Sequence, residues 1–301
     1  MTEHTDLAVH FEGVSKKYPH FTLEDINLEL EQGSIMGFIG ANGAGKSTTI
    51  RILMGLVHQD CGTVHVLGHP MPAQQAAAKL DIGFVSEDMR LYGAATIDWH
   101  MELIRSIYPT WEPAYAEQLC KRFDLKPQQK IKGLSHGQRV KSALLLVLAR
   151  RPRLLVLDEP TTGLDPVARR EVLGELMEVL ADERRTILFS SHNTLDVEQI
   201  SDKITFIDKG RIIDSGDKEG YLDRWRRMRL DVPPGVVLPR LPGTVATANT
   251  GRIAVLTTSS FDPAMATLCQ DAGATVQSID RMTLEEIFVT NVESRRERLN
   301  A

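Results

Sequence analysis

Cysteine is scarce: Cys61, Cys120 and Cys269 are the three in 301 residues, far apart and with no Cys-x-x-Cys spacing. Such a set builds neither a disulfide frame nor a zinc site. Long apolar runs are missing as well. The longest, Ala143 to Ala149, falls far short of the roughly 20 residues that cross a bilayer, so any membrane work is expected to go through a partner. The N-terminal stretch Met1 to His10 is polar and acidic and lacks the apolar centre of a secretory signal, which leaves the cytosol as the expected compartment. Positive charge is not in excess either. With 35 Lys and Arg against 40 Asp and Glu, the net charge of -5 provides no broad cationic field, and no nucleic-acid partner is expected. The densest basic clusters, Arg224, Arg226, Arg227 and Arg229, then Arg295, Arg296 and Arg298, read as solvated helical faces. Hydrophobic residues at 42% and charged residues at 25% exclude a disordered or fibrous chain.

The length allows one large domain with an appendage. From Val9 to Leu30 the pattern alternates, with Ile26, Leu28 and Leu30 on one face and Asn27 and Glu29 on the other, as in half-buried antiparallel strands. Ser34 to Ile39 is an apolar run that meets a glycine cluster and then Ser47 to Val57, apolar at helical spacing. Residues from about Tyr92 to Arg150 read as mostly helical. Within them Trp99, Leu103 and Ile107 stand four apart and are expected to pack in a core, followed by a second run from Tyr115 to Phe123. Strand and helix patterns then alternate: Leu154 to Leu157, Pro166 to Leu180, Thr186 to Ser190, Thr194 to Ile200, Ile204 to Ile207 and Arg211 to Asp214. That order implies a parallel sheet covered by helices. Beyond Trp225 come Pro233, Pro234, Pro239 and Pro242, then strands at Ile253 to Leu256 and Thr275 to Ile279 around a helix at Ala264 to Ala272. The expected organisation is an α/β domain over residues 8–220, with a helical part at about 88–150, and a small α+β appendage over 221–301.

Two segments carry chemistry. Gly40-Ala41-Asn42-Gly43-Ala44-Gly45-Lys46-Ser47-Thr48 has the spacing of a phosphate loop and lies between a strand and a helix, the context the motif needs. Glycines let successive N–H groups turn toward phosphate oxygens, and the following helix adds its positive end. Lys46 is placed to reach the β and γ phosphates and the Ser47 hydroxyl to ligate Mg²⁺. The second segment, Leu154 to Glu159, is an apolar strand ending in two carboxylates, where an open α/β sheet puts its ligands. Asp158 suits a water-mediated hold on Mg²⁺, and Glu159 suits the base that polarises an attacking water.

About twenty residues before that strand stands Leu134-Ser135-His136-Gly137-Gln138. It resembles the signature sequence of the ATP-binding cassette (ABC) family, usually written Leu-Ser-Gly-Gly-Gln. With Pro160, the Gly163-Leu164-Asp165 turn and Ser191-His192, the resemblance covers about residues 8–215. It implies a P-loop NTPase core of cassette type with an antiparallel β subdomain and a helical subdomain. It further implies a dimer, of like or unlike cassettes, that sandwiches ATP between one copy's phosphate loop and the other's Ser135, Gly137 and Gln138. By the same resemblance Asp165 links the two sites, His192 contacts the γ phosphate, and Tyr18 stacks on adenine. The partner implied is an integral membrane permease, with the chain peripheral on the inner face of the membrane. Leu284-Glu285-Glu286-Ile287-Phe288 resembles the closing helix of ATPases from ABC-2-type exporters, which favours export.

Two positions depart from the family pattern. Glu87 follows Ile82 to Ser86 where most cassettes have glutamine; its oxygens still suit Mg²⁺, but it adds negative charge beside the triphosphate. His136 replaces a glycine, and its ring points either to solvent or toward the γ phosphate. Readings of other classes are a soluble cassette acting on ribosomes or DNA and a nucleotide-regulated module without turnover. One phosphate loop, one signature and no sustained heptads disfavour the first, and Glu159 disfavours the second.

Overall fold

The computed structural model describes residues 7–180 and 185–300, and chain contacts divide it into two compact units, Met1–Ile212 and Ile213–Ala301. Most of the N-terminal stretch read for a secretory signal, and the Arg298 side chain, lie outside the described residues.

The alternation near the N-terminus becomes two long antiparallel strands, β1 (Leu7–Tyr18) and β2 (Phe21–Glu31), with Phe11 opposite Leu28 and Val14 opposite Ile26. Their covered face buries Phe11, Val14, Leu23, Ile26, Leu28 and Leu30. All five residues of β3 (Ile35–Ile39) are buried, as in a central strand with both faces covered. There follow α1 (Lys46–Leu53), β4 (Cys61–Val66), β5 (His69–Pro70), α2 (Gln75–Ala78), β6 (Ile82–Ser86), α3 (Ile97–Ile107) and α4 (Pro113–Arg122). A 3₁₀ turn at Ile131–Gly133 leads into α5 (His136–Leu148), β7 (Leu154–Asp158), α6 (Pro166–Leu180), β8 (Thr186–Ser191), α7 (Thr194–Ile200), β9 (Lys203–Asp208) and β10 (Arg211–Asp217). One sheet runs β2-β1-β4-β5 and the larger one β10-β9-β3-β8-β7-β6.

Register in the larger sheet positions the chemistry. Strands β6, β7, β8 and β3 are parallel, with Ser86 beside Asp158, Asp158 beside Ser190, and Ile39 beside Ser191. The residues that follow them, Gly40, Glu87, Glu159 and His192, therefore leave the sheet at one level, along its carboxyl edge.

The helical part corrects the sequence reading at one point. Trp99 is 47% exposed and Ile107 54%; α3 buries Ile97 and His100 instead. Among its neighbours α3 packs chiefly on α5, and one partner helix covers only one stripe, leaving the Trp99 side to solvent. The Tyr115 to Phe123 run does pack, burying Tyr115, Leu119, Cys120 and Phe123. Behind α5, the buried Arg150 guanidinium lies 3.3 Å from the centroid of the Tyr108 ring, and its Nη2 donates to the carbonyls of Lys79, Leu80 and Ile82. An ammonium has no planar face to stack on the Tyr108 ring, so Arg150→Lys is expected to cost about 2 kcal/mol, read as a lower urea midpoint with unchanged m. An unshifted midpoint would contradict it.

The second unit holds α8 (Lys218–Arg224), β11 (Arg226–Asp231), β12 (Thr244–Thr250), β13 (Ile253–Thr258), α9 (Ala264–Asp271), β14 (Thr275–Arg281) and α10 (Leu284–Asn300). Its antiparallel sheet runs β12-β13-β11-β14 over a core that includes Met228, Leu230, Leu256, Met265 and Cys269. Arg226, Arg227 and Arg229 thus stand on a strand, not on the solvated helical face expected: Arg227 and Arg229 take the face opposite the buried Met228 and Leu230, and Arg226 shares the face of that buried pair. Among the described residues no helix is long and apolar enough to cross a membrane.

Candidate active site

The phosphate loop leaves β3 at Gly40, where a Cβ would stand 2.5 Å from the Ile207 carbonyl oxygen. It ends at Gly45, the N-cap of α1, in a left-handed conformation with φ of 118° that excludes larger residues. No side chain caps α1. Its first-turn N–H groups therefore suit an anion, reinforced by the helix dipole. Ala41, Asn42 and Gly43 form an exposed tip; Ala44, Gly45 and Lys46 are buried, and Ser47 and Thr48 half-buried.

Lys46 is 5% exposed, and its Nζ donates to the carbonyls of Gly40 at 2.7 Å and Ala41 at 3.3 Å. The same ammonium lies 3.0 Å from Glu159 Oε1 as an ion pair. Glu159, buried at the end of β7 with φ of 53°, directs its other oxygen to two donors: Thr162 Oγ1 at 3.0 Å and His192 Nδ1 at 2.7 Å. A carboxylate only accepts, so His192 carries its proton on Nδ1. The Glu159 backbone N–H is fixed by the Ser190 carbonyl and hydroxyl, each at 3.2 Å. The structure thus gathers Lys46, Glu159 and His192 on one carboxylate.

Asp158 is 7% exposed, and its Oδ1 accepts from Ser190 Oγ at 2.6 Å. Among the described residues no cation pairs with this buried carboxylate, and no cluster of three or more His, Cys, Asp and Glu residues forms a ready metal site. Asp158, the Ser47 hydroxyl and the Glu87 carboxylate are all oxygen donors, the class Mg²⁺ takes, so the donor set fits that ion. Glu87 is exposed, its N–H donating to the Asp158 carbonyl at 3.1 Å. The Tyr18 ring is 37% exposed and centred 6.5 Å from Phe21, whose Cζ is 3.1 Å from where a Cβ of Gly45 would stand.

The signature segment begins α5 with a reciprocal capping box: Ser135 Oγ accepts from the Gln138 N–H at 3.1 Å, and Gln138 Oε1 from the Ser135 N–H at 3.0 Å. The Ser135 oxygen is used as an acceptor, so its own O–H is left to donate outward, beside the N–H groups of His136 and Gly137 that helix geometry leaves without an intrahelical partner. Gly137 packs on the start of α6, where an added Cβ would meet Ala168 at 3.3 Å. The His136 side chain is exposed, and its Nε2 is 3.0 Å from the Thr162 carbonyl oxygen. Asp165 caps α6 through Oδ1, accepting from Ala168 N at 3.0 Å and Val167 N at 2.9 Å, and the Ala168 N–H foremost holds its carboxyl below the usual carboxylate range.

Thr162 and Ser190 escaped the sequence reading. Ser190 shows itself only once register sets β8 beside β7, and Thr162 only once the turn after Glu159 is folded back.

The sequence profile of the ABC transporter family matches residues 23–162. The chain is 32% identical over 209 residues to the ABC transporter ATP-binding protein YtrB of Bacillus subtilis, covering 66% of this chain and 70% of YtrB. It belongs to the ABC transporter family. The daunorubicin resistance ATP-binding protein DrrA3 of Streptomyces coeruleorubidus is 29% identical over 302 residues, covering 94% of this cassette chain and 95% of its own. A solved ATP-binding subunit of an ABC transporter superposes with a TM-score of 0.65 at 26% identity, over 72% of this chain and 92% of that one. The protein is an ATP-binding, ATP-hydrolysing subunit with the P-loop NTPase fold of an ABC cassette.

Proposed function

We propose that this cassette works as a dimer, of like or unlike copies, that drives an exporting permease from the inner face of the membrane. Residues 8–220 form the working cassette and 221–301 an accessory domain. The observation that carries the reading is the gathering of Lys46, Glu159 and His192 on one carboxylate at the sheet edge, while Ser135 offers an outward hydroxyl from a separate, exposed helix start. The two halves of a nucleotide site stand on different elements, the β3–α1 loop and the start of α5, and in the proposed assembly the α5 start of a second copy closes the site.

In that assembly the N–H groups of Gly40 to Thr48 and the Lys46 ammonium hold the phosphates, and Tyr18 meets the adenine. Ser47, Asp158 and Glu87 would hold Mg²⁺, whose chemistry is to neutralise phosphate charge. Glu159 accepts a proton from the attacking water, and His192 and Lys46 stabilise charge on the γ phosphate. Ser135, Gly137 and Gln138 of the second copy close the site, and Asp165 joins the two sites. Similarity to a daunorubicin resistance protein over nearly the whole chain, accessory domain included, supports export.

A cavity of about 380 Å³ beside Glu87 supports a docking place for the permease. Val85, Met89, Leu91, Ile131, Val140 and Ala143 supply its apolar lining, with Asp88, Arg90 and Arg139 also at its wall, which suits an amphipathic cytosolic helix. Tyr92 does not line it; its ring lies 5.6 Å from Trp99 and 6.0 Å from His100. Charged replacement of Met89 and Leu91 together is expected to leave ATP affinity intact and to abolish co-purification with the co-expressed permease. Normal capture by a folded double variant would place the docking surface elsewhere.

A further inference from the structure

His136 is a departure that the mechanism above leaves unused. Its Nε2 stands 3.0 Å from the Thr162 carbonyl oxygen, and because a carbonyl only accepts, Nε2 carries the hydrogen. The hydroxyl of the same Thr162 donates to Glu159 Oε2 at 3.0 Å. The two bonds link in series: the first helical residue of α5 holds the Thr162 backbone, and the Thr162 side chain holds the catalytic carboxylate. A Cβ at Gly163 would stand 3.3 Å from the His136 ring, so the turn passes close to the ring only because residue 163 has no side chain. The Lys141 ammonium and the Glu171 carboxylate pair one turn further along the same α5 and α6, which keeps the two helices in register.

We infer that His136 is a positioning residue for ATP hydrolysis, acting through Thr162 to orient Glu159 of its own subunit. This rests on the assignment of Glu159 as the base. A glycine at position 136 has no side chain with which to make this link, so the bond distinguishes this chain from the usual signature. The expected consequence is selective: the Glu159 carboxylate is aimed less well at the attacking water, while the phosphate contacts that set ATP affinity are untouched.

The test is steady-state ATPase of the full chain with four single variants and one double variant whose urea midpoints match wild type. His136→Ala is expected to lower kcat about fivefold, the scale of one hydrogen bond, with the ATP KM within about twofold of wild type. His136→Phe, which keeps a ring without a donor, should fall as far, whereas His136→Gln, which can present an N–H near the Nε2 position, should recover most of kcat. Thr162→Val removes the hydroxyl on Glu159, and in its background His136→Ala should cost nothing more, since both act along one path. Multiplying losses in the double variant, a full-rate His136→Phe, or a rise in KM in place of the fall in kcat would each overturn the inference. Glu159→Gln run alongside separates the two claims: if it keeps turnover, the base assignment fails; if it is dead while His136→Phe is at full rate, the positioning role alone fails. If His136→Ala does not fold, His136→Phe against His136→Gln decides the matter.

Discussion

Glu159→Gln is expected to bind ATP at least as tightly as wild type and to lose turnover by roughly 10²-fold or more, the usual scale of a missing general base. The carboxylate is held from three sides, by Lys46 at 3.0 Å on Oε1 and by Thr162 and His192 on Oε2. An amide keeps one oxygen to accept from Thr162 or His192 but has no negative charge with which to draw a proton from water. It also stops competing for Lys46. The ammonium that Glu159 pairs with is the one the triphosphate needs, so removing that charge eases the exchange of partners on binding. Titration calorimetry with ATP and a phosphate-release assay on the same preparation check both halves. Wild-type turnover would remove Glu159 from its role, and a large loss of affinity would show that it holds nucleotide instead.

Lys46→Ala is expected to act the other way round, weakening ATP binding by roughly ten- to a hundredfold, since one charge-assisted hydrogen bond is worth about 1.5–3 kcal/mol. Lys46 is buried against the loop carbonyls of Gly40 and Ala41, so its Nζ is already held where phosphate oxygens arrive and gives up little freedom to meet them. The substitution also leaves the buried Glu159 carboxylate with His192 and Thr162 but without the ammonium. It should therefore melt below Glu159→Gln, because an uncompensated buried charge is the costlier state. Unchanged affinity in a direct titration would contradict the phosphate-loop assignment.

The sheet and the phosphate loop were legible because their signals are local: a five-residue apolar run into glycines, and an apolar strand into Asp158 and Glu159. What was not legible depends on register or on which neighbour covers a face. Ser190 reaches Asp158 because β8 pairs level with β7, a relation between residues some thirty positions apart. Trp99 and Ile107 share an apolar spacing with true core positions, but α3 meets its neighbour α5 on another stripe. Strand β12 was missed because Thr244–Thr250 is polar and mostly exposed at a sheet edge, leaving no alternation to read. His136 is exposed, one of the two orientations read from the sequence, but its partner, the Thr162 carbonyl, lies in a turn whose path no short motif specifies.

The central claim is that a working site draws on two subunits, and the most direct measurement is ATP turnover in mixtures of two dead variants. Lys46→Ala damages the phosphate loop and Ser135→Arg the signature, so a mixed dimer holds one site with both defects and one with neither. Each variant alone is expected to be inactive, and activity should rise to a maximum near equal mixing, as the mixed dimer becomes most abundant. Zero activity at every ratio, with mixed dimers demonstrated by differential tagging, would contradict a site shared between subunits in which each can fire alone.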